Sequence, residues 1–231
     1  MPANNYNEKK MKVLVFDTET TGLPIGRNPS IMDLQKWPHV VQFSYILFDT
    51  VSKQVLTMRN DLIKIPVEVE ITPGSEAIHH ISRVMCEANG IAITDALNFF
   101  NKALVQADVV VGHNISFDKR LIMVECTRAK IYQKFTTNGV RKEEYCTMKK
   151  GTDVCQISVT SPNGETYLKF PTLSELHEKL FDYKPEGTHD AFVDVLICLR
   201  CYLKIVDGYD FMAETNSADH NDLKNLYRAR L

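Results

Sequence analysis

Two carboxylates, Asp17 and Glu19, directly follow an apolar run at residues 13–16 that is typical of a strand buried on both faces. In an extended backbone, residues two apart point to the same side, so both carboxylates face one way and Thr18 faces the other. Neighbouring anions repel, and a divalent cation that takes several carboxylate oxygens is the commonest way to stabilise them. The pair is therefore a candidate metal site. The alternative interpretation is an ordinary polar turn closed by Thr21-Gly22.

Two further aspartates lie where buried elements begin. Asp118 falls in the first turn of a predicted helix that Ser116 caps and that follows a short buried strand at residues 108–112. The alternative explanation for Asp118 is that a first-turn aspartate favours the helix dipole. Asp194 lies near the start of a helix at residues 191–206 that is apolar nearly all round. A carboxylate there is costly unless a cation or hydrogen bonds compensate it, the alternative being that Asp194 reaches solvent from the first turn.

One histidine, His189, precedes Asp194 by five residues, which places it on the loop or first turn before this helix. From that position its ring can swing toward the carboxylates. In an open α/β sheet, sites form at the carboxyl ends of the strands, so we expect the four carboxylates and His189 to meet there.

The strands and helices that must position these residues can be placed from the pattern of apolar residues. Strands at residues 40–49 and 54–65 are expected to continue the first strand as an antiparallel meander. The other predicted elements are a short helix at 75–84, a helix at 95–106 capped by Thr94, a fifth strand at 145–148, a hairpin within 155–170 and a helix at 173–181 capped by Thr172. The alternation of strands and helices predicts the α/β class.

The composition favours one domain. The chain has 231 residues, of which 44% are hydrophobic, and we expect a tail at 1–10, a domain at 11–207 and a polar extension at 208–231. No apolar run reaches the length of a membrane span and residues 1–10 lack a signal-peptide core, which predicts a soluble intracellular protein, cytoplasmic or nuclear. The net charge is −2, but residues 119–150 carry nine Lys or Arg against three Glu. Such a basic strip fits either a phosphate-backbone contact or a solvated helix face.

Three motifs in this order resemble those of the DEDDh 3′–5′ exonucleases of the ribonuclease H-like superfamily, which include proofreading subunits, three-prime repair exonucleases and ribonuclease T. The first motif is Asp17 to Leu23, the second runs from Gly112-His113-Asn114 to Phe117-Asp118, and the third runs from His189-Asp190-Ala191 to Asp194. The resemblance extends from about residue 12 to residue 206. It implies a ribonuclease H-like mixed five-stranded sheet flanked by helices.

The resemblance also implies roles for the five acting residues. Asp17, Glu19 and Asp194 would hold one Mg²⁺ or Mn²⁺, Asp17 would bridge to a second ion, and Asp118 would assist directly or through water. Two such ions can activate a water and stabilise the leaving 3′ oxygen. His189 suits the general base that takes the proton from this water. The product would be a nucleoside 5′-monophosphate.

Six residues are expected to contact the substrate by the same resemblance. Leu23 and the backbone after Glu19 would wedge and hold the last nucleotides, which favours single strands or frayed ends. The predicted contacts are Thr18, Thr20, Leu23, His79, Asn114 and Phe117. The chain departs from the family pattern at His80, often Gly, and at Cys146, often Asp, and its loop from Pro24 to Pro38 is longer than usual.

Three hypotheses for function remain open from the sequence. We favour a metal-dependent exonuclease that acts on the 3′ end of single-stranded DNA in proofreading or repair. A 3′–5′ exoribonuclease that trims RNA ends or degrades short oligoribonucleotides shares these motifs, because only contacts to the 2′ position distinguish the sugars. A noncatalytic module that binds 3′ ends is the third hypothesis. The family resemblance also allows a polymerase or repair partner and a homodimer.

Overall fold

The apolar run near the start of the chain forms the central strand of a five-stranded mixed sheet. The computed structural model describes residues 11–137, 139–213 and 221–230. The strands are β1 (Lys12–Thr20), β2 (Val40–Asp49), β3 (Gln54–Leu62), β4 (Val109–Gly112), β5 (Thr136–Thr137), β6 (Val140–Arg141), β7 (Glu143–Cys146), β8 (Ser158–Thr160) and β9 (Thr166–Leu168). The main sheet has the order β3-β2-β1-β4-β7, in which β1 is antiparallel to β2 and parallel to β4. This confirms the predicted sheet.

Helices cover both faces of the sheet. They are α1 (Pro73–His79), α2 (Arg83–Asn89), α3 (Ile93–Gln106), α4 (Ile115–Arg128), α5 (Thr147–Cys155), α6 (Leu173–Phe181), α7 (Ala191–Asp207) and α8 (Asn221–Arg230). The pairs β5-β6 and β8-β9 form separate two-stranded ribbons, the second of which is the predicted hairpin. No helix in the described parts of the chain is long and apolar enough to cross a membrane.

The alternation of side chains along β1 explains how the site is divided between the two faces. Val13 and Val15 belong to the core beneath α7, whereas Leu14 and Phe16 belong to the core beneath α3 and α4. Each face is therefore apolar up to residue 16. The same period of two sends Asp17 and Glu19 toward α7 and sends Thr18 toward α4.

The single helix expected at residues 75–84 is two helices. His80 adopts a left-handed conformation with φ 59° and ends α1, and its backbone N–H donates to the carbonyl of Glu76. Ser82 then caps α2 by accepting a hydrogen bond from the backbone N–H of Met85 at 3.3 Å. A non-glycine residue with positive φ is uncommon, so the apolar pattern alone does not reveal this break.

Two predicted helix caps are wrong by two residues. Asn114, not Ser116, is the N-cap of α4, and it adopts a left-handed conformation with φ 64°. Ala92, not Thr94, precedes the first turn of α3. The predicted cap at Thr172 is confirmed, and the structure shows that it is part of a capping box with Glu175.

The segment after α7, expected to be a polar extension, contributes to the core. Phe211, Leu223 and Tyr227 are buried in the cluster beneath α7. Tyr209, Met212 and Leu226 pack against the same cluster while partly exposed, and the polar residues between these side chains conceal the packing in the sequence. The expected tail at residues 1–10 lies outside the described residues.

Candidate active site

Three carboxylates meet at the carboxyl end of β1. One oxygen from each of Asp17, Glu19 and Asp194 lies within 4.8 Å of the other two. Asp17 and Glu19 reach this point because they follow the apolar part of β1 on its α7 face, and Asp194 reaches it from the first turn of α7. A group of carboxylate oxygens at this spacing is a donor set that hard divalent cations favour.

Burial and mutual repulsion make this cluster unfavourable when all three groups are charged. Burial raises the pKa of Asp17 well above its usual range, and the charges of Asp118, Asp194 and Glu19 raise it further. Burial, followed by the charge of Asp194, raises the pKa of Glu19 to about 8, and burial raises the pKa of Asp194 to about 7. Oδ1 of Asp194 is buried and has no hydrogen-bond partner within the described residues. A divalent cation would supply the missing partner and the opposing charge, so the residues present fit a metal site.

The fourth expected carboxylate lies on the other face of β1. Asp118 is buried in the first turn of α4, and its Oδ1 accepts a hydrogen bond from the hydroxyl of Thr18 at 2.7 Å. Burial raises the pKa of Asp118 to about 7. Its charge still raises the pKa of Asp17 and Glu19, although it is outside the group of three oxygens. Thr18, which we expected to contact the substrate, is therefore placed to orient Asp118.

The loop between α6 and α7, residues 182–190, carries His189 and is called the histidine loop below. His189 is exposed and has φ 72°, and its backbone N–H donates to Oδ2 of Asp194 at 3.2 Å. This hydrogen bond ties the loop directly to the carboxylate cluster. The side chain of His189 lines the cleft beside Glu19, as the sequence predicts for a residue just before the helix.

Two residues that position this loop were not identified from the sequence. Asp190 caps α7 by accepting hydrogen bonds from the backbone N–H groups of Phe192 at 2.9 Å and Val193 at 3.2 Å. Gln42, buried on β2, accepts a hydrogen bond from the backbone N–H of Ala191 at 3.0 Å. An aspartate directly before an apolar helix is a capping signal that could have revealed Asp190. Nothing in the sequence around Gln42 indicates its partner.

A cleft of about 530 Å³ opens beside the carboxylates. Seven of the predicted site residues line it, and Thr72 and Ile78 line it as well. The seven are Thr18, Glu19, Thr20, Leu23, His79, Phe117 and His189. The side chain of Leu23 is 83% exposed and lines the cleft, so its apolar surface is available to a ligand there.

Thr20 and His79 hold the floor of this cleft through the backbone. Nε2 of His79 donates to the carbonyl of Thr20 at 3.1 Å, and Nδ1 accepts from the backbone N–H of Ile81 at 3.0 Å. The hydroxyl of Thr20 donates to the carbonyl of Gly22 at 2.6 Å. Both ring nitrogens of His79 are thus occupied, so the ring can offer a substrate only its face and edge carbons.

A second cavity of about 430 Å³ adjoins the cleft. Leu23 and Phe117 line both cavities, and Asn114 lines only the second one. Trp37 from the long loop forms part of its wall, with its ring centroid 6.4 Å from that of Phe117. Asn114 is exposed, and of the predicted contacts that line these two cavities it alone does not line the cleft beside Glu19.

Comparison with known families identifies the chain. The RNase T family model, described as Exonuclease, matches residues 14–202, which is most of the sequence. The chain belongs to this exonuclease family. The match spans all three motifs and confirms the resemblance to DEDDh 3′–5′ exonucleases. The comparison with curated proteins finds no match.

Solved structures of other exonucleases share the fold at low sequence identity. E. coli exonuclease I in complex with a dA16 oligonucleotide has a TM-score of 0.60 and 16% identity, over 86% of this chain and 41% of that one. Exonuclease I from Methylocaldum szegediense has a TM-score of 0.59 and 17% identity, over 86% of this chain and 41% of that one. A product-bound exonuclease I has a TM-score of 0.62 and 14% identity, over 85% and 44%. This chain thus matches less than half the length of each of these proteins. The structural similarity confirms the ribonuclease H-like fold.

Proposed function

We propose that this member of the exonuclease family is a metal-dependent 3′–5′ exonuclease that releases nucleoside 5′-monophosphates from single-stranded DNA. The observation that carries the proposal is the group of three carboxylates within 4.8 Å, one of which has an oxygen without a hydrogen-bond partner in the described residues. His189 and the exposed Leu23 line the cleft beside this group. A metal site, a base and an apolar wedge in one cleft are the parts that removal of a terminal nucleotide requires.

Asp17, Glu19 and Asp194 would hold the metal, with Asp17 shared between two ions and Asp118 assisting directly or through water. Mg²⁺ or Mn²⁺ is the proposed ion, because the ligands offered are all carboxylate oxygens. When bound, such ions polarise the phosphate and lower the pKa of a coordinated water. The chain's own contribution is to hold the carboxylates in place before the substrate arrives. The strand geometry of β1 and the capped first turn of α7 do this.

His189 would act as the general base in hydrolysis of the terminal phosphodiester. A ring nitrogen of His189 would take a proton from the attacking water, the water oxygen would bond to phosphorus, and the bond from phosphorus to the 3′ oxygen of the shortened strand would break. The leaving 3′ oxygen would then take up a proton from solvent. The products are a nucleoside 5′-monophosphate and a strand with a free 3′ hydroxyl. The exposed ring of His189 on a loop can approach and then leave the reacting phosphate.

Single-stranded DNA is the proposed substrate for two reasons. Glu19 of the carboxylate cluster lines a cleft together with Leu23 and Phe117, and a terminal nucleotide that has left its stack would fit between such walls. Solved exonuclease I structures with the same fold contain dA16 and dT13 oligonucleotides. Proofreading or repair, a polymerase or repair partner and a homodimer remain part of the proposal.

A 3′–5′ exoribonuclease is the second candidate, and the matched family model is the observation that favours it, because it is named for ribonuclease T. The chemistry at phosphorus is the same for both sugars. The two candidates differ only in what contacts the 2′ position. The experiment must therefore present both sugars with one base sequence.

The test is digestion of 5′-labelled DNA and RNA oligonucleotides of one sequence, with Mg²⁺, with Mn²⁺ and with EDTA. We expect a ladder that shortens from the 3′ end with either metal, no ladder with EDTA, and faster cleavage of DNA. Asp17→Asn removes one negative charge at nearly constant shape and should abolish the ladder. Asp108→Asn is the matched control, because Asp108 lies before β4 at the opposite end of the sheet and accepts a hydrogen bond from the backbone N–H of Lys12 at 2.8 Å.

Each remaining outcome identifies another function. Faster cleavage of RNA selects the exoribonuclease. Cleavage of circular single-stranded DNA, which has no end, indicates an endonuclease. Binding of 3′ ends without cleavage in either metal contradicts the enzyme and leaves the noncatalytic module.

A further inference from the structure

The last helix, α8, lies beyond the part of the chain that the family model matches. The match ends at residue 202, and α8 runs from Asn221 to Arg230. It packs on α7 through Leu223 and Tyr227, which are 5% and 2% exposed. A buried attachment of this kind holds α8 in a fixed position against the helix that carries Asp194.

A buried polar cluster connects α8 to the start of the histidine loop. The hydroxyl of Tyr227 on α8 donates to Nε2 of His177 at 2.7 Å, and Nδ1 of His177 donates to the carbonyl of Tyr183 at 3.0 Å. Arg200 on α7 donates to the hydroxyls of both tyrosines. Burial of His177 lowers its pKa to about 4, so the ring is neutral and this donor pattern holds near neutral pH. His177 and Arg200 thus each bind both Tyr183 and Tyr227, and so connect the histidine loop to α8.

The end of α8 also touches the middle of the histidine loop. Gly187 has φ 65°, and a Cβ built on it would lie 3.3 Å from the backbone carbonyl oxygen of Arg230. The guanidinium carbon of Arg230 lies 5.8 Å from the ring centroid of Phe192, in the first turn of α7. Helix α8 therefore contacts the loop at Gly187 and the helix turn that follows the loop.

We propose that α8 is a positioning element that holds the histidine loop, and hence His189, in register with Asp194. The loop is fixed at Tyr183 by the polar cluster, at Gly187 by the end of α8, and at His189 by its 3.2 Å hydrogen bond to Asp194. Two of these three points depend on α8. This inference rests on the proposed function, because it assigns α8 a role in the placement of the proposed base.

Loosening α8 should lower the rate of catalysis more than it weakens substrate binding. The loop carries the base, whereas the walls of the cleft that hold the nucleotide come mainly from β1, α1 and α4. A base displaced by a fraction of an ångström slows the proton transfer. We therefore expect kcat to fall about tenfold and KM to change less than about twofold. A purely structural role for α8 predicts instead a lower melting temperature with unchanged kcat in the folded fraction.

The experiment uses substitutions on both sides of the contact between α8 and the histidine loop, each made in the whole 231-residue chain. Arg230→Ala removes the side chain over Phe192, Arg230→Lys should restore most of the rate because it keeps the cation, and Arg228→Ala is the exposed control on the same helix. Gly187→Ala adds a methyl group against α8 at a left-handed position. Gly164→Ala is its matched control, since Gly164 has φ 82° in the β8-β9 turn with nothing within 4 Å of its Cβ position.

The second readout does not depend on activity. Hydrogen exchange of the histidine-loop amides should quicken in Arg230→Ala, in Gly187→Ala and in Tyr227→Phe, whereas exchange in α3 and β2 should not change. We also expect the double variant Gly187→Ala/Arg230→Ala to lose more kcat than either single variant, because the two changes disturb separate contacts, one with the backbone of Arg230 and one between its side chain and Phe192.

Other outcomes overturn the inference. Unchanged loop exchange in the three test variants would show that α8 does not hold the loop, whatever the activity. If Arg228→Ala and Gly164→Ala lost as much kcat as the test variants, or if hydrogen exchange quickened across the whole chain, α8 would contribute only to the overall stability of the fold. If the unmodified protein cleaves nothing, the proposed function fails, while the exchange data still decide whether α8 holds the histidine loop.

Discussion

At the scale of single residues, Asp194 is a buried carboxylate that is only partly compensated by hydrogen bonds. Its Oδ1 is buried without a hydrogen-bond partner in the described residues, and two more carboxylates lie within 4.8 Å. An uncompensated buried charge destabilises a fold, so replacement by a neutral residue of the same shape should stabilise the metal-free protein. Asparagine is such a residue, because its side-chain oxygen can still accept the hydrogen bond from the backbone N–H of His189.

Asp194→Asn is therefore expected to change stability and activity in opposite directions. Without metal ions its free energy of unfolding should rise by about 1 kcal/mol or more, which raises the melting temperature by roughly 2–4 °C. Its nuclease activity should fall at least about 100-fold, because a charged metal ligand is lost. Thermal unfolding in EDTA and single-turnover cleavage measure the two effects. A variant that is less stable than the parent in EDTA would contradict the proposed metal site.

The same carboxylates give the metal-free protein a defined pH dependence. In the folded state, burial raises the pKa of Glu19 to about 8 and of Asp118 and Asp194 to about 7, whereas in the unfolded chain these groups titrate near pH 4. The folded state then binds more protons than the unfolded state between about pH 4 and pH 8, so stability falls as the pH rises through this range and levels off above it. Buried neutral histidines oppose this trend only below about pH 6.5, where the unfolded chain gains protons.

The measurement is the melting temperature from pH 6.5 to pH 9, with EDTA and with Mg²⁺. We expect a fall in EDTA, a smaller fall with Mg²⁺ because the ion stabilises the charged forms, and a flatter curve in Glu19→Gln. Equal slopes with and without the metal would show that the carboxylates do not hold it.

The alternation of side chains along a strand made the pairing of Asp17 and Glu19 predictable from sequence, whereas the other contacts depend on residues far apart in the chain. Asp17 and Glu19 follow an apolar run, and the strand period alone places them together. The hydrogen bond between Thr18 and Asp118 joins residues 100 positions apart, and the one between Gln42 and Ala191 joins residues 149 positions apart. No local pattern encodes such pairings.

At the scale of elements, most strands and helices were predictable and their ends less so. Helix α5 was missed, because the strand predicted at 145–148 ends at Cys146 and the helix begins at Thr147. Strand β2 and helix α6 have the predicted bounds, because a continuous apolar run and a capping box mark them. The break between α1 and α2 and the cap of α4 depend on His80 and Asn114 in left-handed conformations. Residues other than glycine adopt that conformation for reasons of packing that a single sequence does not display.

Several cations of the basic strip, residues 119–150, hold other elements in place. Both terminal nitrogens of Arg128 donate to carbonyl oxygens at the end of the long loop: one to Pro38 at 2.9 Å, the other to Leu34 and Trp37 at 2.6 Å each. Arg128 also pairs with the buried Glu125 at 2.7 Å. Its planar fork of donors reaches partners that a single ammonium group cannot reach together.

Arg128→Lys should therefore loosen the loop from Pro24 to Pro38. We expect the free energy of unfolding to fall by about 2–4 kcal/mol, since several hydrogen bonds from a charged donor are lost beside a buried carboxylate. Urea unfolding measures this change, and limited proteolysis should cut first within the loop. Arg83→Lys on α2, whose partner Glu87 is exposed, is the matched control and should stay within about 0.5 kcal/mol. Equal losses for the two variants would contradict the proposed anchoring.

At the scale of the whole molecule, the net charge of −2 says little about nucleic-acid binding, because the position of each charge decides it. Lys149 and Lys150 are exposed in the first turn of α5. This turn lies at the site end of the sheet, since Thr147 donates to the carbonyl of Gly112 at 3.3 Å at the end of β4. By contrast, Arg141 lies beside Asp108, at the opposite end of the sheet.

Reversal of both charges in Lys149→Glu/Lys150→Glu is expected to weaken binding of single-stranded DNA and to make it less sensitive to salt. Each lost phosphate contact removes a released counterion, so the slope of log affinity against log salt should fall by about 1 to 2 in magnitude. The control is Lys130→Glu/Arg141→Glu, an equal change of charge. Lys130 lies just past the end of α4, about 20 Å along that helix from the residues that line the cleft.

Fluorescence anisotropy with a labelled oligonucleotide at several salt concentrations, in Ca²⁺ or EDTA to prevent cleavage, separates the two variants. An equal drop in slope for both would mean that net charge alone steers the DNA, and an unchanged slope for the α5 variant would remove this turn from the path of the strand. A drop confined to the α5 variant, with the metal-induced rise in melting temperature intact, would place the phosphate backbone along the first turn of α5 on its way to the carboxylates.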